Sequence, residues 1–148
     1  MQQSNCVISS VDTNDSGANY PTSLIPIDDL LRSEEHCPAT ATALAARIEQ
    51  AGTWTTPILV EDTLLFVMDG HHRLAAARQL GLDSLPCVLL AYNDPRLELS
   101  AWDPEATVLP DDVVNAALTG NLLPQKTTRH RLSPEPARIV IPLASLRR

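Results

Sequence analysis

Aromatic side chains are scarce in this chain: two Trp, two Tyr and one Phe make up 3% of 148 residues. The 44% of hydrophobic residues must therefore build an aliphatic core, and the length suits a single compact domain. Basic residues are also few, 11 Lys and Arg against 18 Asp and Glu. The resulting net charge of −7 argues against a surface that neutralises nucleic-acid phosphates or lies on an anionic membrane. No apolar run approaches the about 20 residues of a membrane span, and the opening MQQSNCVISS lacks the apolar stretch of a signal peptide. Cysteine is limited to Cys6, Cys37 and Cys87, an odd number, widely spaced, with no CxxC. That excludes a simple disulfide framework or zinc knot and fits a reducing cytoplasm. There is no internal repeat and no low-complexity linker.

What is present reads as one α/β unit behind a polar tail. Residues 1–21 are rich in Ser, Asn, Asp and Thr and carry no apolar periodicity, so a flexible tail is expected there. TSLIPI (22–27) reads as a short strand at an edge, because Pro26 cannot donate to a ladder. ATATALAARIEQAG has Leu44 and Ile48 at helical spacing and Gly52 at the stop. PILVEDTLLFVMD divides into two strands around Glu61, Asp62 and Thr63. HHRLAAARQLG predicts a helix with Leu74, Ala75, Ala77 and Leu80 on one face and Gly81 as a left-handed cap. LPCVLLAY reads as a strand buried on both faces, and LPDDVVNAALTGN as a helix with Asp111 and Asp112 near its positive end. Beyond it the chain is basic and proline-punctuated, and RIVIPL (138–143) predicts a last strand.

The chemistry concentrates in VMDGHHRLAAARQLGLDSLP (67–86). A strand delivers Asp69, Gly70 permits a tight turn, and the first helical turn presents free N–H groups at the positive end of the helix. Such a corner is an anion site. Arg73 lies within that turn and can fork onto phosphate oxygens. His71 and His72 diverge by about 100° on a helix, so they are expected to do different jobs and are poorly placed to chelate one ion. Asp69 can hold a hydroxyl, an amine or Mg²⁺, or it can simply cap the helix.

The order LIPIDDLL, EEH, a helix, PILVE, VMDGHHRLAAARQLGLDSLPCVLL and Tyr92 resembles the ParB/sulfiredoxin-like fold. Within it, DGHHR resembles the free serine kinases, which phosphorylate L-serine to O-phospho-L-serine using ADP or ATP. The resemblance covers roughly residues 23–102 and again 124–143. It implies a small α/β (α+β) domain over 22–148, with a mixed sheet and flanking helices. Chromosome-partitioning ParB proteins carry a GERR-like box followed by a DNA-binding domain, which is not expected here. Sulfiredoxins place a cysteine immediately before the His-Arg pair, where this sequence has His71. Without that thiol, sulfinic-acid reduction lacks its nucleophile.

By the same resemblance, Asp69, His72 and a glutamate are catalytic, while Gly70, His71, His72 and Arg73 hold ATP or ADP. Asp69 serves Mg²⁺. The base lies in a PHE-like stretch, here Arg32-Ser33-Glu34-Glu35-His36, without the family's Pro and His. The register favours Glu35, with Glu34 as the alternative. Trp102, Thr128, Arg129 and His130 match positions around the serine and its phosphate. The implied activity is a free L-serine kinase of the cytoplasm, serving amino-acid or siderophore biosynthesis. A ParB-like nucleotide-binding regulator without kinase activity is the rival.

Overall fold

The computed structural model describes residues 17–147. The apolar-poor opening, Cys6 and most of the expected tail lie outside the described residues. Gly52, Gly81 and Gly120 all take positive φ at the helix ends where their spacing placed them.

The main sheet has the order β1-β5-β3-β4. Its strands are β1 (Ser23–Pro26), β3 (Ile58–Glu61), β4 (Val67–Asp69) and β5 (Ser84–Leu90). β3 runs parallel to β5, while β1 and β4 pair antiparallel to their neighbours. β1 is an edge strand and ends on Pro26, as its proline requires. Helix α1 (Pro38–Ala51) packs against α2 (His71–Gln79), and α3 (Pro110–Thr119) follows later in the chain. At the start of α3, Asp112 accepts the Leu109 N–H at 2.9 Å, so its carboxylate does cap the positive end.

Strand alternation divides the core into two layers. Ile58, Val60, Val67, Leu85 and Cys87 share one cluster with Leu74 and Ala77 of α2. Leu59, Phe66, Met68, Val88 and Leu90 share the other with Val113 and Ala117 of α3. The few aromatic residues are used sparingly, with Trp54 and Phe66 fully buried. In α2 the buried residues are His71, Leu74, Ala76 and Ala77, so Ala76 takes the inward place expected of Ala75.

Three stretches depart from the sequence expectation. RIVIPL forms only the two-residue strand β8 (Ile141–Pro142), which pairs with β2 (Thr53–Trp54), and then turns into a 3-10 helix over Leu143–Leu146. Pro142 cannot carry a ladder further, and Leu143 and Leu146 are buried by the helical turn instead. A strand passed over in the sequence, β6 (Leu97–Ala101), pairs antiparallel with β7 (Thr128–Leu132). The end of the expected tail is held down: Ala18 exchanges backbone hydrogen bonds with Glu135 and Ala137 at 2.8 and 2.7 Å. Arg96 lies over the Tyr20 ring, 5.0 Å from its centroid.

Candidate active site

The corner forms as its sequence demands. β4 ends on Asp69, and Gly70 is the N-cap of α2 with φ 118 and ψ 24, a conformation that strains any residue with a side chain. A Cβ there would sit 2.6 Å from Cγ2 of Ile58 in β3, so helix and sheet approach each other through the missing side chain. The first N–H to find a carbonyl within the helix is Leu74, bonded to Gly70 at 2.8 Å. Those of His71, His72 and Arg73 precede it and point out of the helix end. The hydrogen bond that Asp69 makes is to the Arg73 side chain and not to a first-turn N–H, which goes against the capping reading. The Asp69 carboxylate is 57% exposed and meets a guanidinium nitrogen of Arg73 at 3.5 Å. The Arg73 Nε is buried and has no protein partner.

Opposite the corner runs segment 33–37. Glu34 is 7% exposed. Its Oε1 accepts the N–H groups of Thr127 and Thr128 at 2.6 and 3.1 Å, and its Oε2 accepts the Thr128 hydroxyl at 3.3 Å. Burial pushes the Glu34 carboxyl above its usual range, the three hydrogen bonds pull it back, and the nearby Asp69 charge pushes it up again. Glu35, the favoured register in the sequence, faces outward with 58% of its side chain exposed and pairs with Arg32 at 3.9 Å. The structure thus buries Glu34 against Thr127 and Thr128 and turns Glu35 toward solvent.

The two histidines do separate jobs, but both use Nε2 to accept from the opposite segment. His71 takes the Ser33 N–H at 3.2 Å and His72 the Cys37 N–H at 3.0 Å. Burial, with help from the Arg32 charge, pulls the His71 imidazole down to about 3.

On β7 the side chains alternate. Thr128 and His130 point inward, while Arg129 and Arg131 point out. The Arg129 guanidinium lies 4.7 Å from the centre of the Trp102 ring, which is 51% exposed. Trp102 and Arg129 are therefore brought together at the hairpin end, beside Thr128. His130 is not at the open site: it is buried, meets the Tyr92 hydroxyl at 2.9 Å, and is pulled down to about 4 by burial. Among the described residues no group of three or more His, Cys, Asp and Glu is placed to hold a metal. Asp69 alone supplies an open carboxylate at the corner.

No family model matches the chain. It is 37% identical over 86 residues to the ATP-dependent L-serine kinase of Staphylothermus marinus, covering 55% of this chain and 34% of that protein. The chain thus spans about a third of the length of that curated relative. Its structure superposes on a free serine kinase in complex with AMP with a TM-score of 0.80, over 92% of this chain and 98% of that one, at 15% identity. This is the fold of the free serine kinases. SbnI of Staphylococcus aureus, with a C-terminal truncation, shares it with a TM-score of 0.72 at 14% identity, over 84% and 88% of the two chains.

Sequence reasoning weighed Thr127 as an oxyanion donor, and its N–H does donate to the Glu34 carboxylate, but it missed Ser33 and Leu123. Leu123 pairs with segment 33–37 through its own N–H and carbonyl, bonded to Ser33 and Glu35 at 3.0 and 2.8 Å. A groove of about 440 Å³, lined by Asp112, Asn115, Thr119 and Asn121 among others, shares Leu123 and Thr127 with the wall that holds Glu34. Among the described residues, no helix is long and apolar enough to cross a membrane.

Proposed function

We propose that this protein is a free L-serine kinase that transfers the terminal phosphoryl group of ATP or ADP to the serine hydroxyl. The observation that carries the reading is a buried carboxylate, Glu34, set with Asp69 beside a helix N-terminus built for phosphate. A serine hydroxyl is a weak nucleophile. In this reading Glu34 takes its proton as the Oγ–P bond forms and the P–O bond to the leaving nucleotide breaks. A carboxyl already raised by burial suits the role, and Glu34 is assigned it in preference to Glu35, which faces Arg32.

The polyphosphate lies against the free first-turn N–H groups, and the partly exposed guanidinium of Arg73 stands beside them. Mg²⁺ fits the corner in the way it commonly binds, through one carboxylate, here Asp69, and the phosphates themselves. When bound, it would neutralise charge on the phosphates. The Arg129 and Trp102 pair is assigned to the serine carboxylate, while Thr128 spends its hydroxyl on Glu34. A cytoplasmic setting goes with this reading, and Cys37 and Cys87 are free thiols.

Phosphorus NMR with L-serine, Mg²⁺ and ATP or ADP in turn tests the assignment. O-phosphoserine should appear only when serine is present, and its absence with every donor would end the kinase reading. Glu34→Gln should lower turnover by about 10²–10⁴, the usual size of a general-base effect, with nucleotide affinity little changed. If Glu35→Gln carries that loss instead, the base is the neighbouring residue.

A further inference from the structure

His71 and His72 look like phosphate ligands by position, yet the Nε2 of each is already committed. Each Nε2 accepts a backbone N–H, from Ser33 at 3.2 Å and from Cys37 at 3.0 Å. An accepting nitrogen carries no proton, so a neutral ring must carry its proton on Nδ1. Both acceptors engage the same five-residue segment, at its two ends, with Glu34 between them. The other edge of that segment is held by Leu123, which donates to the Ser33 carbonyl and accepts from the Glu35 N–H. Ser33 is fixed once more by its hydroxyl, which donates to the Val67 carbonyl at 2.9 Å and lies 3.2 Å from the same His71 Nε2.

We infer that His71 and His72 are positioning residues, whose Nε2 atoms pin segment 33–37 to the first turn of α2 so that the Glu34 carboxylate stays set against Thr127 and Thr128. The inference deepens the kinase reading and rests on it for its effect on turnover, but the ring tautomers can be measured without it. A histidine fixed in this way must stay neutral, because a protonated Nε2 would turn a donor toward the N–H it now accepts.

Glutamine and asparagine separate the two roles. A Gln side chain places its oxygen where Nε2 stands, whereas Asn reaches only the Nδ1 position. His71→Gln and His72→Gln should therefore recover most of the turnover lost in His71→Asn and His72→Asn. The Asn variants should fall in kcat by about 10²-fold, the size expected when a reacting group shifts by about 1 Å, with the nucleotide KM little changed. Melting curves for all four variants separate this from unfolding, and His72 is only half-buried, so its variants spare the core. Long-range ¹H–¹⁵N spectra of the unmutated protein at pH 7 should show both rings protonated on Nδ1. The inference is overturned if either ring carries its proton on Nε2. It is also overturned if the Asn variants outperform the Gln variants, or if nucleotide KM rises while kcat holds. If the unmutated protein makes no O-phosphoserine, the kinase reading falls, and the spectra alone decide whether the histidines hold the segment.

Discussion

Acid should destabilise this protein through two buried imidazoles well before its ordinary carboxylates titrate. His71 and His130 are held at about 3 and about 4, against 6.5 for an exposed histidine, burial being the main cause for both. Since the folded values lie below the unfolded one, the unfolded chain takes up protons first. Each histidine's contribution is complete above pH 6.5 and is lost as the pH falls toward its folded value. At pH 5 the unfolded imidazole is almost wholly charged and the folded one almost wholly neutral. That difference of roughly 1.5 pH units is worth about 2 kcal/mol per histidine, or about 4 kcal/mol for the pair between pH 8 and pH 5. Glu34 acts with the opposite sign, because its raised pKa penalises the folded state at high pH and the penalty fades as the carboxyl protonates. Single variants remove that confusion. Urea unfolding of the unmutated chain, His71→Gln and His130→Gln at pH 8, 6.5 and 5 should show each variant losing about 2 kcal/mol less than the parent across that range. A His71→Gln variant with the parent's full acid loss would refute the argument.

Two further outcomes concern the corner. Gly70→Ala combines a φ of 118 with a Cβ 2.6 Å from Ile58, so it should cost about 2–4 kcal/mol, and an unchanged melting temperature would contradict that packing. Asp69→Asn removes no cap, so stability should stay within about 0.5 kcal/mol. Turnover should drop, and the acid limb of its pH profile should move to lower pH, because the charge that raises Glu34 is gone; an unshifted limb would separate the two carboxylates.

The parts of the site set by neighbours in sequence were legible, and those set by distant chain were not. Asp69, Gly70 and the first turn of α2 follow from a strand, a glycine and a small-residue helix in direct succession. The choice between Glu34 and Glu35 depends on which way a short extended segment faces. That is fixed by Leu123 and by the N–H groups of Thr127 and Thr128, which no local pattern announces. β6 and β7 escaped for a related reason. LELSA alternates with Leu97, Leu99 and Ala101 only half-buried, and in TRHRL the inward places include Thr128 and His130, so hydrophobicity does not mark the buried face of β7. The bonds of His71 and His72 to segment 33–37 were not legible either, because their partners are backbone N–H groups, which every residue except proline carries.

The hydrogen bond from Thr127 to Glu34 spans 93 residues of chain. Closing so long a loop is entropically slow, and contacts of this kind form late in folding. The main sheet, α1 and α2 are complete by Leu90, long before Thr127 leaves the ribosome. A nascent chain can therefore hold the Asp69 and Gly70 corner while Glu34 still lacks the partners that tune it. The β6 and β7 hairpin carries Leu132 of the second core layer, so its closing completes that layer and the partners of Glu34 together, and its opening would remove both.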